Sequence, residues 1–291
     1  MPELPEVEVV RAGLAPAVTG SVVASVTVFD ERSLRRHDGP SEDFIDRLTG
    51  RTIVAASRRG KFMWLPLDGG ADALVVHLGM SGQVLLRDRI TDDKLTRIRL
   101  EIAHEDHGAL RLNFVDQRIF GSMSIVPLVP TPDVTGEHVP TQVSHIARDP
   151  LDPHFDEKLF FARLGTRNSG IKRALLDQSL VSGIGNIYAD ESLWASKIHY
   201  EQPALSLSLA KKKLLLAEVR AVLAKALGEG GTSFDAQYVN VNGASGYFSH
   251  SLNAYGQQGK PCPRCGRPIV REQFMNRGSH FCPWCQRLKL L

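Results

Sequence analysis

The segment KPCPRCGRPIVREQFMNRGSHFCPWCQ, residues 260–286, holds all four cysteines of the chain in the pattern C-x₂-C-x₁₆-C-x₂-C. Two close pairs at that separation can bring four thiolates onto one tetrahedral ion, as in zinc ribbons. Two disulfides, or a redox Cys-x-x-Cys motif, are the competing readings. The first is disfavoured because the opening ten residues carry three glutamates and no basic-then-apolar signal pattern. The second is disfavoured because there are two such pairs and no βαβ pattern around them. With Cys262, Cys265, Cys282 and Cys285 all acting as ligands, a single zinc ion keeps no open position. Its role is then to order a module too small for a core of its own. Between the two knuckles, IVREQFMNRGSHF reads as a β-hairpin that presents Arg277 and His280 near its tip, a shape that can reach a DNA groove.

Charge supports that reading. Residues 260–291 contain seven lysines and arginines against the single acid Glu272, a net of +6. The whole chain carries only +3, so the preceding 259 residues sum to −3. Basic excess gathered in one small module is the footprint of a nucleic-acid contact, with an ordinary solvated surface as the alternative. Hydrophobic residues at 43% and charged residues at 23% describe a globular chain, and no apolar run approaches the roughly 18 residues of a membrane span. A cytosolic protein of about two domains is the default for 291 residues.

Upstream of the cysteine module, GGTSFDAQYVNVNGASGYF is polar and rich in Gly and Asn, which marks a loop. Before it the periodicity is helical in DEKLFFARLG, IKRALLDQSL, NIYADESLWASKI and SLSLAKKKLLLAEVRAVLAKALGEGG. In the last of these Leu209, Leu216, Val219, Leu223 and Leu227 form one stripe. Six prolines between Pro127 and Pro153, with no apolar period, read as an interdomain linker. Strand patterns fill the region before it: SVVASVTVF, RTIVAAS, KFMWLPL, ALVVHLGMSGQVLL, TRIRLEI and ALRLNFV. Closely spaced, they predict an antiparallel sandwich or barrel, interrupted by one helix at SEDFIDRLTG with Ser41 as N-cap and Gly50 past its end. At the start of the chain, PELPEVEVVRAGLAPAV places Val7, Val10 and Leu14 on one helical face, and the helix is expected to end before Pro16. Pro2 fits an early helical position.

MPELPEVE, taken with the cysteine pattern, resembles the formamidopyrimidine-DNA glycosylase family, bacterial repair enzymes for oxidised purines. So do RRGKF at 58–62, HLGMSG at 77–82, DQRIFG at 116–121, SGIGNIYADE at 182–191, GYF at 246–248 and RGSHFCPWCQ at 277–286. These run in order along nearly the whole chain. The resemblance implies an α+β multidomain protein: an N-terminal helix on an antiparallel β-sandwich, a helical helix-two-turn-helix domain and a C-terminal zinc-ribbon β-hairpin. The matching boundaries are 1–130 for the catalytic helix and sandwich, 131–153 for the linker and 154–232 for the helix-two-turn-helix domain. A lesion-capping loop and connection would take 233–259, and the zinc hairpin 260–291.

The same resemblance implies a bifunctional glycosylase and abasic-site lyase that acts as a monomer on damaged double-stranded DNA in the bacterial cytosol. Pro2, exposed as a free secondary amine once Met1 is removed, would attack C1′. An α-amino group, with a reference pKa of about 7.7–8, is partly unprotonated at neutral pH. Glu3 would donate a proton to the sugar ring oxygen, and Glu6 would anchor the amine or accept a proton. Lys61 matches the family's proton donor in elimination, and Arg277 the arginine that grips the lesion's phosphates. Met80 and Phe120 would fill the stack vacated by the flipped nucleotide, with Arg118 on the orphaned cytosine. His77, Arg167, Lys172 and Asn186 match backbone-contacting positions, although Lys172 reads equally as an exposed helical lysine. Glu8 is read as an acid favouring a helix N-terminus.

Two departures concern the grip on DNA. Leu95 stands where relatives place a phosphate-contacting His, a contact then lost or passed to Arg97, and Ile119 stands where a second basic residue is common. An endonuclease VIII-like enzyme for oxidised pyrimidines and a non-enzymatic zinc-ribbon DNA-binding protein are the alternative readings.

Overall fold

A computed structural model describes residues 2–232 and 248–289; most of the capping-loop segment, 233–247, lies outside the described residues. The chain divides into two compact units. Among the described residues, 2–145 and 230–232 form the first, and 146–229 and 248–289 the second.

The first unit opens with α1 (Leu4–Val18), whose start is a capping box between Glu3 at the N-cap and Glu6. The early-helical proline is therefore Pro5; Pro2 lies just outside the helix. Val7, Val10, Leu14 and Val18 point into the core. The helix does not stop before Pro16. A proline near the last turn removes little of the hydrogen-bond ladder, and continuing for two residues buries Ala17 and Val18. Strands β1 (Val22–Val28), β5 (Gly82–Arg87), β6 (Thr96–His104) and β7 (Gly108–Asp116) form one antiparallel sheet in the order β1-β6-β7-β5. A second antiparallel sheet runs β2-β3-β4-β8-β9, from β2 (Ser57–Arg59), β3 (Phe62–Pro66), β4 (Asp72–His77), β8 (Ser122–Pro130) and β9 (His138–Pro140). Alternating residues of both sheets meet α1 and α2 (Ser41–Leu48) in one apolar core, including Ile98, Leu100, Ile102, Phe114, Leu74 and Met123. The expected sandwich is present.

Three expectations change. RTIVAAS makes only isolated bridges at Thr52 and Ile53, with strand pairing beginning at Ser57. Helix α2 takes Pro40, not Ser41, as N-cap, because the Ser41 hydroxyl is turned to Glu31, 2.8 Å away. Residues 131–153 are not all linker, since β9 completes the second sheet by pairing with β8.

The second unit is built from α3 (Glu157–Gly165), α4 (Ile171–Leu176), α5 (Asn186–Ser196), α6 (Leu209–Gly228) and the hairpin β10 (Val270–Phe274) and β11 (Arg277–Phe281). On α6 the buried stripe is Leu215, Leu216, Val219, Leu223 and Ala226, whereas Leu209 in the first turn is exposed. The cysteine module has a very small core: Cys262, Ile269 and Cys282, with Trp194 of α5 packed on them.

Candidate active site and nucleic-acid interface

Glu3 and Glu6 are both 2% exposed at the start of α1, immediately after the buried Pro2. Oε2 of Glu6 accepts from the Glu3 backbone N–H at 2.8 Å. Its Oε1 accepts from the N–H and hydroxyl of Thr232, at 2.8 and 2.9 Å. One buried carboxylate thus fixes the backbone next to Pro2 and that of Thr232. Gly231, at φ +81°, lets the chain pass there, because a Cβ would lie 3.1 Å from the Glu6 carboxylate. Glu8 is not simply an N-terminal acid. Burial alone would raise its carboxyl, but hydrogen bonds from Arg11 and Arg58 hold it below the usual range.

His77 ends β4 with Nδ1 buried and without a hydrogen-bond partner among the described residues. Burial, then the positive charges of Arg36, Arg35 and Lys61, push its imidazole down to about 4. Lys61 sits in the turn between β2 and β3, after Gly60 at φ 58°, so the basic residues here make a field suited to a phosphate.

Met80 and Phe120 are 40% and 50% exposed, and Arg118 is exposed. They stand on two loops, 78–81 and 117–121, which touch backbone to backbone: a Cβ on Gly79 would fall 2.3 Å from the Phe120 carbonyl carbon. Met80 and Phe120 are therefore loop residues and not core residues. Arg97 is committed internally, with Nε on the Asp116 carbonyl oxygen at 2.8 Å and Nη1 3.3 Å from Asp30.

In the second unit, the turn 182–185 is pinned by Gln178, which accepts from Gly183 N–H at 2.9 Å and donates to the Leu176 and Ile184 carbonyls, each at 3.0 Å. Helix α5 follows, with Gly185 as an N-cap that has no side-chain acceptor. Arg167 is half-buried and ion-paired with Asp177 at 2.7 Å. Lys172 departs from both of its sequence readings, because it is neither exposed nor at the surface. Its Nζ lies 2.6 Å from Asp190 Oδ1 and donates to Ser279 Oγ at 3.0 Å and to the Gly278 carbonyl at 3.3 Å. Asn186 Nδ2 donates to the same carbonyl at 3.1 Å.

Positions 186, 190 and 194 of α5 share one face. They carry the Asn186 contact, the Asp190 carboxylate that accepts from His280 N–H at 2.8 Å, and the Trp194 indole N–H, 3.4 Å from Cys262 Sγ. The hairpin is docked on that face through β11. His280 is accordingly not a tip residue: it is buried, with Nδ1 3.1 Å from Asp190. Arg277 is exposed at the tip beside the turn Met275–Asn276. Glu191 faces elsewhere and accepts from the backbone N–H groups of Asn253, Ala254 and Tyr255. Burial pushes its carboxyl up against those hydrogen bonds.

The Sγ atoms of Cys262, Cys265, Cys282 and Cys285 all lie within 4.8 Å of one another. Four thiolates about 2.3 Å from a central zinc ion require a spacing of this order. The donor set fits one structural zinc, and the ion supplies folding free energy to the hairpin module. Sequence reasoning missed Arg35 and Thr232, whose partners are distant in the chain, and passed over Asp116, Asp190 and Glu191 inside motifs it had singled out.

Family models match in three places. The formamidopyrimidine-DNA glycosylase N-terminal domain covers residues 1–123, the formamidopyrimidine-DNA glycosylase H2TH domain 146–237, and the zinc finger found in FPG and IleRS 259–288. The formamidopyrimidine-DNA glycosylase of Leifsonia xyli subsp. xyli is 64% identical over 297 residues, covering 99% of this chain and 100% of the relative. The Lactococcus lactis Fpg bound to abasic-site DNA superposes with a TM-score of 0.82 at 32% identity, over 98% of this chain and 99% of that one. The same enzyme with DNA containing N7-benzyl-Fapy-dG gives a TM-score of 0.83 at 33% identity, over 98% and 100%. The chain belongs to the formamidopyrimidine-DNA glycosylase family.

Proposed function

We propose that this base-excision DNA glycosylase and abasic-site lyase removes oxidised purines, 8-oxoguanine and formamidopyrimidines, through the amine of Pro2. The observation that carries the reading is the environment of Pro2. It is buried at the mouth of α1, beside a capping box of two buried carboxylates. With Met1 removed, the Pro2 nitrogen lone pair attacks C1′, and the bond from C1′ to the base breaks. Glu3 delivers a proton to the ring oxygen as the sugar opens, leaving a cationic iminium between Pro2 and C1′. That cation draws electrons as the C2′ proton leaves and the 3′ phosphate is expelled, and a second elimination expels the 5′ phosphate. Hydrolysis of the iminium returns the amine. Glu6 holds the backbone beside the nucleophile, Lys61 supplies a proton in elimination, and Arg277 neutralises the departing phosphates.

DNA binding draws on both units. His77 and Arg167 are assigned to phosphates, the turn 182–185 to a phosphate at the start of α5, and Met80, Arg118 and Phe120 to the vacated stack. Lys172 and Asn186 serve this grip indirectly, by holding the hairpin that carries Arg277. Segment 233–259 is assigned to lesion capping and the part of 131–153 that follows β9 to the join between the sandwich and helical regions, in the bacterial cytosol. Among the described residues no helix is long and apolar enough to cross a membrane.

Borohydride reduction during turnover should trap a covalent protein–DNA adduct on 8-oxoguanine:C duplexes, and Pro2→Gly should reduce it. Mass spectrometry should find Met1 absent. A clear preference for thymine glycol over 8-oxoguanine would move the chain to the oxidised-pyrimidine reading, and no adduct with either lesion would remove Pro2 as nucleophile.

A further inference from the structure

The loop 117–121 has no regular secondary structure, yet five of its backbone groups, two N–H and three C=O, are held by buried or forked side chains. Asp116, fully buried at the end of β7, accepts from Gly121 N–H on Oδ2 at 2.6 Å. On Oδ1 it accepts from the Ser81 hydroxyl at 2.6 Å and from Arg118 N–H at 3.1 Å. One carboxylate therefore closes the 117–121 loop and ties it to the loop carrying Met80. From the other side Arg35 donates to three successive carbonyls: Nη1 to Ile119 at 2.9 Å and Gly121 at 2.7 Å, and Nη2 to Phe120. Three carbonyl dipoles turned to one guanidinium form a clamp that only a forked, permanently charged donor can make. Glycines at 79 and 121 make room for this packing: a Cβ on Gly121 would fall 2.6 Å from the Phe114 ring and 2.9 Å from the His77 carbonyl oxygen. The loop also holds Ile119 at φ 55°, a costly conformation for a β-branched residue and one that persists only where its surroundings over-determine it. Phe120 is nevertheless half exposed. The loop's order thus resides in its backbone, while its side chains are left facing outward.

We infer that Asp116 and Arg35 are positioning residues for base extrusion, holding the Met80 and 118–120 loops as one preassembled wedge that enters the stack without first having to be ordered. The inference rests on the assignment of Met80, Arg118 and Phe120 to the vacated stack. Extruding a paired base costs unstacking and unpairing energy, least for a base already unpaired, and a wedge that must be ordered at the same moment adds to that cost. Weakening the clamp therefore slows excision of a stacked lesion and spares one that is already unstacked.

The test is single-turnover excision by the full-length zinc-loaded enzyme on two substrates, 8-oxoguanine paired with C in a duplex and 8-oxoguanine in an unpaired bubble. Asp116→Asn turns an N–H donor towards the Gly121 or Ser81 donors. Arg35→Lys keeps the charge but loses the fork, so it retains general attraction for DNA and, being at the surface, tests the clamp even if Asp116→Asn folds poorly. Phe120→Ala tests the wedge assignment itself. The expected result is a loss of about tenfold or more on the duplex, with little change on the bubble, for all three variants. If Phe120→Ala shows that split while Arg35→Lys matches wild type on both substrates, the clamp inference is overturned and the wedge assignment stands. If Phe120→Ala shows no split, the wedge assignment falls and takes the inference with it. Equal slowing of both substrates by Arg35→Lys would reduce the clamp to general structural support and also overturn it.

Discussion

Replacing Lys172 by Met separates the sequence reading of that residue from the structural one. Methionine keeps the length and most of the volume of the side chain but removes the charge and three donors. The lysine and Asp190 side chains are 0% and 1% exposed, so the variant leaves a buried carboxylate without the ammonium that lies 2.6 Å away. Asp190 would retain Ser279 Oγ at 3.1 Å and the His280 backbone N–H at 2.8 Å, which soften the loss without replacing the charge. Breaking one partner of a buried pair costs about 3–5 kcal/mol, which is roughly a hundred- to several-thousand-fold in the equilibrium that docks the hairpin on α5. Hydrogen exchange reads this directly, because the His280 N–H is protected only while it is bonded to Asp190. Exchange across 270–281 should accelerate by at least two decades, up to the limit set by global unfolding. Lys172→Met with Asp190→Asn, which removes both charges, should recover most of the protection. Unchanged exchange together with weakened DNA binding would refute this reasoning and return Lys172 to the role of a phosphate ligand.

Three further outcomes follow from the geometry. Glu6→Ala removes the acceptor of the Glu3 N–H, the Thr232 N–H and the Thr232 hydroxyl, at about 1–3 kcal/mol for each buried donor left without one, so the melting temperature and the borohydride-trapped fraction should fall together. A loss of trapping at unchanged melting temperature would instead make Glu6 a purely chemical group. His77, held at about 4 in the fold against an ordinary 6.5, binds fewer protons folded than unfolded between those values. Its contribution to stability therefore rises with pH across that window and is lost on acidification. An imidazole NMR titration of the free protein should give the low value, a bound phosphate should raise it, and a free-protein midpoint near 6.5 would contradict the buried, cation-surrounded site. Cys282→Ser should lower zinc content and abolish lesion-DNA binding while leaving the melting of the sandwich nearly unchanged. Full binding after verified metal loss would count against the hairpin as a DNA contact.

What was legible in the sequence is what local chemistry dictates. The alternation Ile98, Leu100, Ile102 against Leu110, Leu112, Phe114 predicts two strands, and these residues pair as β6 and β7. The cysteine spacing predicts convergent thiolates, and they converge. Strand β8 was hidden by its prolines. Leu128 N–H bonds to Ala71 on the β4 side, so by alternation Pro130 also turns its nitrogen that way, beyond the end of β4, while Pro127 turns its own towards β9, beyond Pro140. Neither missing N–H removes a ladder bond, which is why a proline-rich segment can be a strand between two neighbours. Lys172 was hidden for a different reason: IKRALL is compatible with a solvated lysine, and its hairpin partners lie 106 and 107 residues further on.

Asp116 and Asp190 arrive at one solution in the two units. Each is a buried carboxylate at a fixed place, at the end of a sheet strand or on a helix face, and each accepts backbone N–H groups from the segment whose exposed side chains are assigned to DNA. An exposed arginine or phenylalanine can be aimed only if its backbone is fixed, and fixing backbone at a surface requires acceptors brought up from the interior. Aim and contact are therefore separable in this protein. Substitutions at Arg118, Phe120 or Arg277 remove contacts and should leave stability within about 0.5 kcal/mol, as for exposed positions generally. Substitutions at Asp116 or Asp190 disturb aim, and their effect on DNA should scale with the loss of local protection instead of with any charge presented to the phosphates.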